Sequence, residues 1–355
     1  MREIVLELIH TGKEAVSKER FNEAALLLFR YQFEHNPPYR QFCLSRDKTP
    51  EVVQSWEEIP PLPVMAFKLA KISCRPTNEA ARVFQSSGTT GREKSRHALF
   101  DLDLSKEAIL SHFGRHLIPE GRPIRMAILT PSPEEAPDAS LSHMMGVVRD
   151  VFGTEESRYY IQKGRLEAER LAADLSCVRE PIALLGTSFS FVHFLDFVQA
   201  RGYSFSLPEG SRLMDTGGFK GKSREIPREQ LYALYEKYLG LPPENCVNEY
   251  GMAEMTSQFY DGVVGRKGPR VYIAPSQVRS RLLHPETLLP VPNGEVGLLS
   301  HYDLANIDSV TAILTEDLGR EVEGGFVLLG RASGSAPKGC SITLDHLLQM
   351  EARKR

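Results

Sequence analysis

Between residues 14 and 35, Phe21, Ala24, Ala25, Leu28, Phe29 and Tyr31 recur among charged and polar positions. That spacing predicts an amphipathic helix packed on the body of the protein and ending before Asn36-Pro37-Pro38. Arg82-Val83-Phe84-Gln85 reads as a short strand. Arg125 to Thr130 (RMAILT) and Pro181 to Leu185 (PIALL) read as buried strands, whereas Leu141 to Val151, Arg165 to Leu175 and Leu231 to Leu239 carry helical periodicity. Apolar strands alternating with helices predict an α/β layer architecture whose strand-end loops build the site. Beyond Pro269 the units shorten to VYIAPS, GEVGLLSHY, SVTAILTED and GGFVLLGR, separated by turn residues, so a β-rich region is expected there.

With 355 residues, 41% hydrophobic and 25% charged, the chain has a globular balance that excludes a disordered or fibrous protein. Lys and Arg number 43 against 46 Asp and Glu, so no nucleic-acid partner is expected. Lys220, Lys222, Arg224 and Arg228 read as a solvated basic turn, with a functional patch as the alternative, and are given no role. Cys43, Cys74, Cys177, Cys246 and Cys340 are too scattered for a zinc site or a secreted disulfide framework, which points to a reducing, cytoplasmic setting. The N-terminal stretch lacks the uninterrupted apolar core of a signal peptide, and no 18-residue apolar run suggests a transmembrane segment.

The densest local chemistry follows the first short strand, in Ser86, Ser87, Gly88, Thr89, Thr90 and Gly91, with Lys94 just beyond. Two glycines open backbone angles closed to other residues, successive N–H groups and four hydroxyls supply donors, and Lys94 adds a positive charge. Such a loop fits a phosphate. It is not the GxxxxGK[ST] loop, since Gly88 and Gly91 are three apart and Lys94 does not follow a glycine. A plain surface turn is the alternative.

Asn248-Glu249-Tyr250-Gly251-Met252-Ala253-Glu254 is a second polar cluster. Glu254 could hold a divalent cation on phosphates and Tyr250, beside Gly251, could present its ring to a planar base; ordinary loop packing explains both equally. In Thr315-Glu316-Asp317-Leu318-Gly319-Arg320, Asp317 could accept hydrogen bonds from a sugar diol or cap a turn. Gly330-Arg331 closes the next apolar strand.

SSGTTGREK, NEYGMAE, TEDLGR and LLGR stand in the order and approximate spacing of the adenylate-forming superfamily of acyl and aryl acid ligases. The chain most resembles the long-chain acyl-protein synthetases, the fatty-acid ligase component of bacterial luminescence systems, and more remotely the phenylacetate–coenzyme A ligases. The resemblance covers most of residues 60 to 345. It implies an α/β fold, the large N-terminal domain of an adenylate-forming enzyme with a β-rich C-terminal part, and a reaction in which ATP and a carboxylic acid give acyl-AMP before a thiol takes the acyl group. By the same resemblance Ser86 to Gly91 and Lys94 would hold phosphates, Tyr250 and Gly251 would lie against adenine, and Glu254 would reach Mg²⁺. Asp317 would bind ribose hydroxyls, Arg331 would sit near ribose and α-phosphate, and Gly218 would border the acyl and nucleotide pockets. The expected organisation is a helical region at 1–60, an α/β nucleotide- and acyl-binding core at 61–268, a β-rich subdomain at 269–332 and a tail at 333–355.

Only 24 residues follow Arg331, too few for the small C-terminal domain that brings a catalytic lysine in larger ligases, so that domain is expected to be lacking. Lys338 could substitute for that lysine or be a surface residue. Acyl-protein synthetases carry an acyl-accepting cysteine near the C-terminus, which makes Cys340 the expected acceptor and a third catalytic residue beside Lys94 and Arg331; a buried structural cysteine is the alternative. The acyl group would pass onward to an acyl-accepting protein or reductase. The competing expectations are direct transfer to coenzyme A or a carrier-protein thiol, and a non-catalytic nucleotide-binding protein.

Overall fold

A computed structural model of the chain describes residues 1–12, 15–86, 94–217 and 226–332. The helices are α1 (Arg2–His10), α2 (Lys18–His35), α3 (Pro37–Leu44), α4 (Ala66–Leu69), α5 (Leu102–Leu117), α6 (Ser140–Phe152), α7 (Ala168–Cys177), α8 (Ser188–Arg201) and α9 (Arg228–Leu239). The strands are β1 (Leu62–Pro63), β2 (Arg82–Gln85), β3 (Arg96–Leu99), β4 (Arg125–Leu129), β5 (Arg158–Tyr159), β6 (Ile161–Gln162), β7 (Arg165–Leu166), β8 (Ile182–Thr187), β9 (Arg212–Thr216), β10 (Cys246–Tyr250), β11 (Phe259–Tyr260), β12 (Val278–Leu283), β13 (Val296–Asp303), β14 (Ala312–Val322) and β15 (Gly325–Arg331). They fall into two compact units, each assembled from separate stretches of chain. The first holds residues 1–108, 252–257 and 271 onward, and the second residues 109–251 and 258–270.

The second unit is built on a six-stranded sheet in the order β11-β10-β9-β8-β4-β5, parallel except for β11. Its strands are apolar on both faces, as a sheet covered by helices on each side requires. Ile182 and Leu184 of β8, Leu213 of β9 and Cys246 of β10 pack with α7, α8 and α9. The intervening Ala183, Leu185, Met214 and Val247 pack on the other side with Phe113 and Leu117 of α5 and Met144, Met145 and Val148 of α6. Phe191 and Phe194 belong to this core, as helix packing requires.

In the first unit β12, β13, β14 and β15 form an antiparallel sheet, with β1 joining β14 in parallel. The hairpin of β2 and β3 stands apart from this sheet. Helix α2 is fixed by a buried amide. Gln32 Nε2 donates to the Asn306 and Ile307 carbonyls at 2.9 and 3.0 Å, and its Oε1 accepts from Thr311 N at 3.0 Å.

Helix α2 ends at His35, before Asn36-Pro37-Pro38 as expected, and a second helix opens there. The Asn36 N–H closes α2 on Gln32 O at 2.9 Å, while its side chain accepts from Tyr39 N and opens α3. Pro37 and Pro38 fall in the first turn, where their missing N–H groups have no partner to lose. The helix expected from Arg165 starts instead at Ala168, because Arg165 and Leu166 pair with β6. VYIAPS forms no named strand, though Tyr272 bridges Phe326; VRSRLL forms β12, in which Val278 and Leu282 alternate with arginines.

Candidate active site

Residues 252–257 are a loop of the first unit whose backbone groups are met by side chains rather than by a ladder. His97 Nδ1 donates to the Ala253 carbonyl at 2.9 Å, and Asn306 Nδ2 donates to the Glu254 carbonyl at 2.9 Å. Asp303, fully buried at the end of β13, accepts from Thr256 N (3.1 Å) and Ser257 N (2.8 Å) on one oxygen. Its other oxygen accepts from Ser257 Oγ (2.8 Å) and Ala305 N (3.0 Å). Burial raises the Asp303 pKa, against the pull of these donors. Asn306 Oδ1 also takes Thr256 N and Oγ1 at 2.9 and 2.7 Å. Glu254 itself is only 5% exposed.

The β2–β3 hairpin carries the glycine-rich loop, whose base is closed by two contacts. Ser86 N donates to the Ser95 carbonyl and Ser95 N to Ser86 Oγ, both at 3.2 Å. Lys94 is exposed. Ser87, Gly88, Thr89, Thr90 and Gly91 lie outside the described residues, as do Gly218, Lys338 and Cys340.

Asp317 and Arg331 stand directly opposite each other on β14 and β15, with Arg331 Nε 3.5 Å from Asp317 Oδ1 and Arg331 Nη1 3.8 Å from Glu316 Oε2. The register slips by one residue between Leu318 and Gly319, leaving Leu329 as an extra residue in β15. Gly330 follows it with φ 109°, an angle at which a side chain would be strained. The Arg331 side chain is 67% exposed, so its pairing holds geometry more than it adds stability.

In the second unit Tyr250 closes β10, its ring 5.7 Å from that of Phe259. Glu249 pairs in register with Thr216 of β9 and Tyr260 of β11, which places it on the α5/α6 face two residues beyond Val247. Its carboxyl accepts a hydrogen bond from the Thr216 hydroxyl and lies against Gly251, where an added Cβ would strike Oε1. Burial pushes the Glu249 pKa up to about 7, opposed by the Thr216 bond.

The other face of the same strand ends carries a polar network. Asn248 Nδ2 donates to Asp215 Oδ1 at 2.6 Å, Tyr235 and Ser188 hydroxyls donate to Asp215 Oδ2 at 3.1 and 3.3 Å, and Asn248 N donates to Asp261 Oδ1 at 2.7 Å. Arg228 donates to Asp261 and Asn248 at 3.2 and 3.1 Å, so this arginine belongs to the network rather than to a free basic turn.

The first unit thus contains Ser86, Lys94, Glu254, Asp317 and Arg331, and the second contains Tyr250 and Gly251. Among the described residues no group of three His, Cys, Asp or Glu side chains forms a metal cluster. His97, Thr216, Asp303 and Asn306 escape a reading by motif because each lies outside the quoted stretches. Glu249 stands inside one, and an acidic residue in an otherwise buried strand end is the signal that marks it.

Residues 7–349 match the acyl-protein synthetase family, LuxE. The long-chain-fatty-acid–luciferin-component ligase of Vibrio harveyi is 24% identical over 331 residues, covering 89% of this chain and 85% of that protein. The protein of the same name from Aliivibrio fischeri is 24% identical over 338 residues, covering 90% and 86%. An open conformation of 2-hydroxyisobutyryl-CoA ligase in complex with 2-HIB-AMP and CoA superposes with a TM-score of 0.67 at 15% identity, covering 88% of this chain and 74% of that one. ATP-bound MatB from Rhodopseudomonas palustris gives 0.50 at 16% identity, over 72% and 49%. These solved structures share the fold, and no helix among the described residues is long and apolar enough to cross a membrane. With the match extending over nearly the whole sequence, the chain belongs to the acyl-protein synthetase family and is an ATP-dependent acid-activating ligase.

Proposed function

We propose that the protein converts a long-chain fatty acid, or an aryl acid, into acyl-AMP and passes the acyl group to the Cys340 thiol and then to a partner. The family match over residues 7–349 carries this reading. The opposed pair Asp317 and Arg331 supports it physically, since an acceptor for ribose hydroxyls and a cation for phosphate lie side by side.

A carboxylate oxygen of the acid attacks the α-phosphorus of ATP and pyrophosphate leaves. Charge builds on the equatorial phosphate oxygens, where the hydroxyl and N–H donors of Ser86 to Gly91, with Lys94 and Arg331, stabilise it; the carboxylate needs positioning rather than a strong base. Asp317 holds the ribose, and Tyr250 lies against adenine. A Mg²⁺ ion, held by Glu254, would supply further charge neutralisation; a single carboxylate suits an ion whose remaining ligands are phosphate oxygens and water. In the second step the Cys340 thiolate attacks the acyl carbonyl and AMP leaves, giving a thioester after loss of the thiol proton.

Acid-dependent exchange of pyrophosphate into ATP, run over a panel of fatty and aryl acids, tests the first step. Lys94→Ala is expected to lower kcat/KM for this exchange by about 10- to 100-fold, the worth of roughly 1.5 to 3 kcal/mol of charge-assisted contact. Asp317→Ala should raise the KM for ATP without changing which acid is preferred. Unaltered exchange in both folded variants would remove these assignments. Cys340→Ser should retain exchange but carry no acyl adduct by intact mass after incubation with ATP, Mg²⁺ and acid. An equal adduct on wild type and variant would place the acyl group on another residue, and none on an exchange-competent wild type would favour direct transfer to coenzyme A or a carrier thiol; either result defeats the role of Cys340.

A further inference from the structure

Within the first unit, His97 joins the hairpin that bears residues 86–94 to residues 252–254, the part of the second polar cluster that lies in this unit. His97 sits in β3, three residues beyond Lys94 and opposite Phe84 of β2, so it belongs to the hairpin that carries the glycine-rich loop. Its Nδ1 reaches the carbonyl of Ala253, the residue before Glu254, at 2.9 Å across 156 positions of sequence. The ring is buried and stands edge-on to Phe67 of α4, 6.0 Å between centroids. Burial holds the imidazole pKa down at about 4, so at neutral pH the ring is uncharged and Nδ1 carries the proton it donates. On the other side, Asn306 takes the Glu254 carbonyl, and Asp303 and Asn306 take the Thr256 and Ser257 amides. Those partners come from the β13–β14 side of the unit; only His97, among the bonds described to this loop, comes from the hairpin.

We propose that His97 is a positioning residue, which fixes the Glu254 loop relative to the phosphate-binding hairpin and so sets the separation of metal ligand and phosphate donors. This rests on the proposed acid-activating function for its catalytic consequence, but not for the structural one. A backbone carbonyl without regular secondary structure is free to shift unless a side chain holds it, and a neutral imidazole between two buried segments does so without placing a competing charge near the nucleotide.

Three variants separate positioning from packing. His97→Leu removes the donor and keeps an apolar side chain; His97→Asn restores a donor, because Asn Nδ2 is the same number of bonds from Cα as His Nδ1; Phe67→Leu trims the ring that packs on His97 and leaves its bond in place. Amide hydrogen exchange of the peptide spanning 252–257, measured without ATP or metal, is expected to quicken by on the order of tenfold in His97→Leu and to return toward wild type in His97→Asn. Half-saturating Mg²⁺-ATP in pyrophosphate exchange should rise by a similar factor in His97→Leu while the maximal rate changes less. Phe67→Leu should lower Tm and move neither reading. Wild-type hydrogen exchange and half-saturation in His97→Leu would overturn the proposal, as would reproduction of both effects by Phe67→Leu. If His97→Leu does not fold, His97→Met, which likewise lacks an N–H donor, takes its place with the same expectations. Should wild type show no acid-dependent exchange, the enzymatic reading fails, and the amide measurement still decides the role of His97.

Discussion

Asp303→Asn is expected to destabilise the protein by about 3 to 5 kcal/mol in denaturant titration, one of the largest effects of any single-atom change in the first unit. Both carboxylate oxygens accept two hydrogen bonds from buried donors. The amide keeps the shape but turns an NH₂ group toward two of those donors, so either pair chosen by the side chain is left facing another donor. Buried donors without acceptors cost more than a hydrogen bond contributes when made, because water no longer solvates them. The damage should centre on Ser257, whose amide and hydroxyl both rely on the carboxylate while Thr256 N keeps Asn306 Oδ1, and nucleotide-dependent activity should fall with the Glu254 loop even in the fraction that remains folded. A loss below about 1 kcal/mol would mean that water or a rearranged Ser257 replaces the carboxylate.

Glu249→Gln is expected to act in the opposite direction, and only where the acid would be charged. Its folded pKa of about 7 lies above the ordinary value of 4.5, so the folded state favours the protonated form. Wild-type stability therefore falls as pH rises from 4.5 to 7, and above 7 it carries the full penalty of a buried carboxylate. The shift corresponds to roughly 3 kcal/mol. Gln cannot ionise and retains a carbonyl to accept from Thr216. The variant should thus be more stable than wild type by about 3 kcal/mol at pH 8.5 and match it within about 1 kcal/mol at pH 4.5, by urea unfolding at each pH. Equal stability of the two proteins at pH 8.5 would show that Glu249 finds a cation or water when ionised.

The strands of the second unit were legible because they are buried on both faces: MAIL and PIALL are uninterrupted apolar runs, β4 falls within Arg125 to Thr130, and β8 begins inside PIALL at Ile182 and runs on to Thr187. The arrangement of the site was legible only as far as local chemistry reaches. Asp317 and Arg331 could be singled out, but their opposition across two strands depends on a hairpin register that no local pattern specifies. The partners of the Glu254 loop were illegible for a plainer reason. His97 and Asn306 come from 156 and 52 positions away from Ala253 and Glu254, and Asp303 from 47 and 46 positions away from Thr256 and Ser257, and a hydrogen bond to a backbone carbonyl or amide leaves no trace in the sequence of the segment whose backbone makes it. Arg228 was misread for a related cause: a basic residue among basic residues looks solvated until Asp261 and Asn248 are brought beside it. Pro37 and Pro38 marked the end of α2 correctly, but the same residues also suit a helix start, and α3, which they open, went unread.

The extra residue in β15 gives the end of this strand slack in one direction only. Leu329, half exposed, is the residue over which the ladder slips, between the pair Gly319 and Leu328 and the pair Leu318 and Gly330. Deleting Leu329 would let the ladder close into regular pairing with Asp317 still opposite Arg331, whereas inserting a residue beside it would have to enlarge the bulge or carry Arg331 one step past its partner. A shortened β15 therefore preserves the pair that a lengthened one endangers, and the length of this strand can be trimmed but not freely extended wherever Asp317 and Arg331 must work together.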